Sequence, residues 1–258
     1  MEYVQTRPLQ IRPPGEHAGH IRSASMATEI AVVVGVGPGL GWALTERFAQ
    51  AGMQVVAAAR NPAKLNAAMK TGANVRLKAC DAAQAMSVAN LFAGVEKELG
   101  RPSVVVFNAG TFMRGAILDL TPESFEQCWR VGCFGGFLVG QAAARLMVAA
   151  GAGTIIFTGA TASLRGSAGF ANLAVPKFGL RALAQSMARE LGPKGVHVAH
   201  VIIDGQIESE RNRDLAEERA RAAFLPPSAI AESYYQLHLQ QRGAWTHELD
   251  LRPWAEKF

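Results

Sequence analysis

Apolar and polar positions follow two alternating patterns along most of this chain. Short, nearly unbroken apolar runs rich in β-branched residues stand at Ile30–Val34, 54–56, 74–77, Val104–Phe107, 154–157 and Val196–Ile203. Apolar residues on both sides of the pleat are what a strand needs when both faces of its sheet are covered. The alanine-rich stretches between them predict helices over 40–51, 62–70, 85–99, 122–150 and a segment ending near Leu191. Residues 245–254 read as a final strand and arm, and the charged stretch 208–221 as a helical lid. Strand and helix in strict alternation imply βαβ units, right-handed crossovers and a parallel sheet. The expectation is one doubly wound α/β domain of about seven strands, with helices on both faces.

Residues 1–27 break the alternation. They hold Pro8, Pro13, Pro14, Gly15 and Gly19, with no apolar periodicity and no apolar stretch of secretory-signal length. A flexible extension is expected there, followed by the folded domain over 28–258. At 49% hydrophobic and 18% charged, that domain is apolar enough to bury a full core. Its unbroken apolar runs fall short of the roughly 18 residues of a membrane span. Cys80, Cys128 and Cys133 form no CxxC pair, which argues against a disulfide framework or a metal site and for the cytoplasm. The net charge of +5 is scattered, with no basic block. A small anionic partner therefore suits the surface better than nucleic acid does.

Chemistry enters at the turn after the first strand. Gly35, Gly37, Gly39 and Gly41 occupy the turn, and Leu40 opens the following helix. Glycines between a strand and a helix let the backbone turn tightly and approach a pyrophosphate, which then sits at the positive end of the helix. About twenty residues on, a carboxylate would grip an unphosphorylated ribose. Here the second strand ends in Ala59 and Arg60, so NADP(H) is favoured over NAD(H), with the guanidinium on the 2′-phosphate.

These motifs resemble those of the short-chain dehydrogenases/reductases. Gly35-x-x-x-Gly39-x-Gly41 matches the family's Gly-x-x-x-Gly-x-Gly turn, and Asp81 its adenine-contacting aspartate. Asn108-Ala109-Gly110 matches its Asn-Ala-Gly element beside the cofactor. The likeness runs from about Ile30 to Asp204 and implies a Rossmann-like fold, a small-molecule substrate and a homodimer or tetramer. It also implies hydride transfer, with a lysine on the nicotinamide ribose and a tyrosine four residues earlier as proton donor.

Lys177 matches the family lysine, but Leu173 stands at the tyrosine position, Ala160 at the serine position and Gly132 at the asparagine position. An enoyl-reductase spacing would put the tyrosine at residue 170, which is Phe170. Lys177, Thr161 and Ser163 are the remaining candidates for proton chemistry. Asn172 reads as the helix cap, with Pro176 in the first turn, and His197 and His200 as structural residues of the sixth strand. Asp204 stands where the family has a proline near the nicotinamide. Two readings follow: an oxidoreductase acting on a small, mainly apolar carbonyl, alcohol or activated alkene with an atypical proton donor, or a cofactor-binding protein whose chemistry is lost.

Overall fold

A computed structural model describes residues 28–69, 71–209 and 223–255. Seven strands form one sheet: β1 (Ile30–Val34), β2 (Gln54–Ala59), β3 (Val75–Ala79), β4 (Val104–Phe107), β5 (Gly153–Thr158), β6 (Val196–Ile203) and β9 (Glu248–Leu251). Their spatial order is β3-β2-β1-β4-β5-β6-β9, and every neighbouring pair is parallel. A two-stranded parallel pair, β7 (Gln206–Ile207) with β8 (Phe224–Leu225), lies apart from it. The doubly wound architecture expected from the alternation is the one observed.

The pleat divides the core in two. Val32 and Val34 of β1 pack on one face with Phe92 and Val95 of α3 (Ala85–Glu98), Val139 and Met147 of α5 (Gly135–Ala150) and Leu180 of α6 (Ala171–Leu191). Ala31 and Val33 turn to the other face, where Leu44 and Phe48 of α1 (Leu40–Gln50) meet Ile230 and Tyr234 of α7 (Pro227–His238). The short α2 (Pro62–Ala68) follows β2, with Asn61 capping it through a bond from the Lys64 amide. Burial on both faces explains why the strands read as continuous apolar runs.

Three features depart from the sequence pattern. The helix expected over 122–150 is α4 (Pro122–Trp129), a π-type segment at Arg130–Phe134, then α5. By length and composition the run Pro122–Ala150 is apolar enough to cross a membrane. It serves here as a core helix: a Cβ on Gly136 would lie 2.3 Å from Leu180 Cδ1, and one on Gly140 would lie 2.8 Å from Phe157 Cζ. Second, α7 fills a region where no helix was expected. Its start at Pro226–Pro227 and its apolar residues Ile230, Ala231, Tyr234 and Leu237 are the signals that mark it. Third, within the strand and arm expected over 245–254 the strand itself is limited to Glu248–Leu251, which joins the sheet beside β6. The extension over 1–27 lies outside the described residues, as does most of the stretch expected to form a lid.

Candidate functional site

The β1–α1 turn combines two kinds of glycine. Gly35 has φ +94°, and a Cβ there would lie 2.3 Å from the Ala109 amide nitrogen. A Cβ on Gly41 would meet the Gly35 carbonyl oxygen and Val36 Cα at 2.8 Å. These two are glycine because the chain itself fills the space. Around Gly37 and Gly39 nothing lies within 4 Å of a Cβ, so those two leave room for a ligand. Gly39 is also the N-cap of α1 and brings no side chain to the first-turn amides.

The turn faces a cleft of about 380 Å³ at the carboxyl ends of the strands, beside the β1–β4 boundary where strand order reverses. Gly35, Gly37, Gly39, Leu40, Gly41, Arg60, Asp81, Asn108, Ala109 and Gly110 all line it, as do Ala59, Cys80 and Val131. The expected cofactor residues are thus in one place, Lys177 excepted. Asn108 Nδ2 donates to the Gly35 carbonyl at 3.0 Å and braces the turn from the neighbouring strand. Asp81 Oδ1 accepts from the Ala83 amide at 3.0 Å, which fixes its carboxylate at the cleft wall. Burial raises the Cys80 thiol above its ordinary range, against a lowering by its hydrogen bond to Ser87.

Lys177 lies deeper, on α6. It is buried, and its Nζ donates to the Thr158 carbonyl at 2.6 Å at the end of β5. Burial in the low-dielectric core pulls its ammonium down to about 8. The Thr158 hydroxyl accepts from Tyr234 at 2.9 Å, so one residue joins Lys177 to the opposite layer. Burial raises the Tyr234 phenol, which keeps it a proton-bearing structural group. Leu173 stands one helical turn before Lys177 and is half-buried.

Two expectations about this helix are corrected. Asn172 does not cap it: Phe170 is the N-cap, and Asn172 is buried in the first turn, where Nδ2 donates to the Met113 carbonyl at 3.4 Å. Pro176 is not in the first turn but inside the helix. Proline has no amide hydrogen for the Asn172 carbonyl four residues back, which is a cost the helix carries here. The gain is a contact: a Cβ on Gly132, in the π-type segment, would lie only 3.0 Å from Pro176 Cβ.

The two hydroxyls after β5 are already engaged. Ser163 is fully buried; its Oγ accepts from the Ala160 amide at 3.1 Å and lies 3.4 Å from His200 Nε2. His200 Nδ1 is 3.2 Å from Glu248 Oε2 on β9, and Arg181 donates two bonds of 2.7 Å to the same carboxylate. The arginine's hydrogen bonds hold Glu248 below the usual carboxylate range, and burial pushes His200 down to about 4. The imidazole is therefore neutral at pH 7, donating from Nδ1 and accepting at Nε2. Thr161 donates to Asp204 Oδ1, whose other oxygen pairs with Arg252 at 2.9 Å. Two polar chains thus tie the loop after β5 to Glu248 of the C-terminal strand and to Arg252 just beyond it. Sequence reading placed His200 correctly as structural but missed Glu248, Arg181 and Arg252. His197 is likewise structural, stacked on Trp245 at 5.0 Å. Among the described residues no three His, Cys, Asp or Glu side chains group as a metal site requires.

The family model for short chain dehydrogenases matches residues 29–220. The chain is 31% identical over 201 residues to a 3-oxoacyl-[acyl-carrier-protein] reductase of Mycobacterium tuberculosis, covering 77% of this chain and 78% of the relative. It is 28% identical to the human 3-oxoacyl-[acyl-carrier-protein] reductase, covering 75% and 81%. Among solved structures, a short-chain dehydrogenase from Rhodopseudomonas palustris superposes with TM-score 0.75 at 39% identity, covering 88% of this chain and 99% of that one. A metagenomic short-chain oxidoreductase in complex with NADP superposes with TM-score 0.76 at 27% identity, covering 90% and 100%.

The Gly132–Pro176 contact leads to a measurable coupling. Gly132→Asn alone is expected to destabilise by about 1–3 kcal/mol, because the proline ring cannot retreat. Pro176→Gly, which removes the Cβ that the new side chain would meet, should relieve it, with a coupling energy of about 1 kcal/mol or more across the double-mutant cycle. Urea melts of the four proteins measure this, and strict additivity would show that the two residues do not press on one another.

Proposed function

The chain belongs to the short chain dehydrogenase family, and from that membership we propose that it is an NADP(H)-dependent oxidoreductase of small, mainly apolar carbonyl compounds, alcohols or activated alkenes, using a proton donor other than tyrosine. The observation that carries this reading is the cleft at the glycine turn. Two of its glycines are filled by the chain, and two stand open to a ligand at the start of a helix. A dinucleotide fits that arrangement: its pyrophosphate against Gly37 and Gly39, its adenine toward Asp81, its middle along Asn108, Ala109 and Gly110. Ala59 brings no carboxylate to the adenosine ribose, while Arg60 is exposed at the cleft wall and free to meet a 2′-phosphate. The relatives named as 3-oxoacyl-[acyl-carrier-protein] reductases and the neighbour solved with NADP favour the same chemistry.

When bound, the nicotinamide supplies or accepts the hydride. The chain's own task is to position the substrate, exclude water and handle one proton at the substrate oxygen. Leu173 lies where the family's acid would stand and offers no proton. Ser163 is fully buried and held by its neighbours, and Thr161 donates to Asp204. Lys177 is left as the acid. With its ammonium near 8, it holds a transferable proton at neutral pH without being too weak an acid to release it. Its bond to the Thr158 carbonyl fixes Nζ at the carboxyl end of β5.

The same reading includes a homodimer or tetramer. Trp129, Phe134 and Phe137 form a stacked aromatic row along the α4–α5 helix, with Trp129 38% and Phe137 40% exposed. A row of this kind gains by being covered by a second copy. Light scattering at micromolar concentration is expected to give at least twice the chain mass; a monomer would remove this part of the proposal.

For the cofactor, NADPH should bind at least about tenfold more tightly than NADH, the scale of one charge-assisted phosphate contact. Arg60→Ala should abolish most of that difference. Equal affinities in the parent, by fluorescence titration, would reject the assignment.

For the proton, carbonyl reduction should be steady below pH 8 and fall as pH rises through about 8, because only the ammonium form of Lys177 donates. Lys177→Met should remove that limb and lower kcat by about 10²–10⁴-fold. A limb that survives the substitution would assign the proton elsewhere. If the parent turns over no ketone, aldehyde or enoyl thioester while Leu173→Tyr does, the protein is a cofactor binder with lost chemistry.

A further inference from the structure

Most arginines in this structure are spoken for. Carboxylates engage Arg47, Arg76, Arg101, Arg130, Arg181 and Arg252, and amide or backbone oxygens engage Arg145, Arg189 and Arg242. Among the described residues, the guanidiniums without a hydrogen-bond or ion-pair partner are Arg60, Arg114 and Arg165. Each of the three follows a strand of the sheet. Arg60 follows β2, Arg114 lies on the segment after β4, and Arg165 on the segment after β5. All three therefore lie beyond the carboxyl ends of the parallel strands, and of the three Arg60 lines the cleft. Arg60 is at the adenosine end; Arg114 and Arg165 are on the segments that border the reacting end.

Arg114 is held by packing. Its guanidinium carbon lies 5.3 Å from the centre of the Phe170 ring, and Phe170 is stacked on Phe112 at 5.0 Å. Gly169, with φ +79°, leaves room for it: a Cβ there would lie 3.4 Å from Arg114 Nε. The Gly115 amide donates to the Gly169 carbonyl at 3.2 Å and fastens the two segments together. Phe170 is the N-cap of the helix that carries Lys177. The result is an apolar wall of Phe112 and Phe170, ending outward in a cation that pairs with no carboxylate among the described residues. A guanidinium over an aromatic face keeps most of its donors free for a planar or tetrahedral anion.

We propose that the acceptor half of this cleft selects compounds with an apolar body and an anionic group at the end remote from the reacting carbon, with Arg114 as the binding residue for that group and Arg165 adding to its field. This rests on the hydride-transfer reading above and specifies its substrate. A free carboxylate and a phosphate both satisfy the chemistry, and the test separates them.

Calorimetric titration of the full chain, with and without saturating NADPH, uses two matched pairs of probes. One pair is a medium-chain keto fatty acid, its ketone far from the carboxylate, and its methyl ester. The other is acetoacetyl-phosphopantetheine and acetoacetyl-pantetheine. In at least one pair the charged member should bind about tenfold more tightly at low salt, and the preference should shrink as salt rises. The pair that discriminates identifies the anion as carboxylate or phosphate. Arg114→Gln should reduce the preference to about threefold or less while leaving the neutral member's affinity unchanged. Equal binding within both pairs, no binding by any probe, or a preference that survives Arg114→Gln overturns the proposal. Persistent charge preference with no NADPH-dependent reduction of any probe would sink the hydride-transfer reading and leave Arg114 only as an anion-binding residue. Reduction without charge preference would do the reverse.

Discussion

The constraint on which the site depends is the approach of the Gly35 backbone to Ala109. Two segments from adjacent, sequence-distant strands come so close that a single added carbon at residue 35 would lie 2.3 Å from a backbone nitrogen. Backbone cannot step aside as a side-chain tip can, so this contact sets where the first turn goes. The Asn108 amide then holds the Gly35 carbonyl, Gly41 packs beneath it, and α1 starts in one direction only. The open space above Gly37 and Gly39 exists because the other two glycines are pressed home.

The deeper end of the site obeys a second constraint, burial of one cation. Lys177 sits in the core with a single backbone carbonyl as partner, an arrangement that costs free energy in any fold. The surroundings are fitted to one another as well as to it. Gly132 and Pro176 share one small space, so the position aligned with the family's asparagine is closed by a ring from the lysine's own helix. Residues 132 and 176 are therefore one packing solution: a larger side chain at either would press on the other.

Much of this was legible in the sequence, for a physical reason. Strands buried on both faces must be apolar throughout, and glycines at a strand–helix turn have few other uses, so local composition reports both directly. Motif spacing singled out Lys177 and Arg60, of which the structure buries the first against Thr158 and places the second at the cleft wall. What stayed hidden depends on partners far apart in the chain. Ser163, His200 and Glu248 meet across separations of 37 and 48 residues, and no local pattern marks them. The π-type segment at Arg130–Phe134 hides inside a periodicity that fits an unbroken helix. α7 was missed although its apolar spacing is regular, because it follows a charged stretch and begins with two prolines.

The two polar chains that reach β9 also impose an order in time. The loop at 160–163 leaves the ribosome long before Glu248 and Arg252, the groups that anchor its supports through His200 and Asp204. At a synthesis rate of about 5–20 residues per second, the glycine turn and its neighbouring strands are available for several seconds before that loop can be locked. A nascent chain can thus assemble the glycine turn while the loop at 160–163 is still loose. Locking of this loop is tied to the arrival of the last strand, so a product truncated before β9 keeps the glycine turn but lacks the frame that holds Thr161 and Ser163.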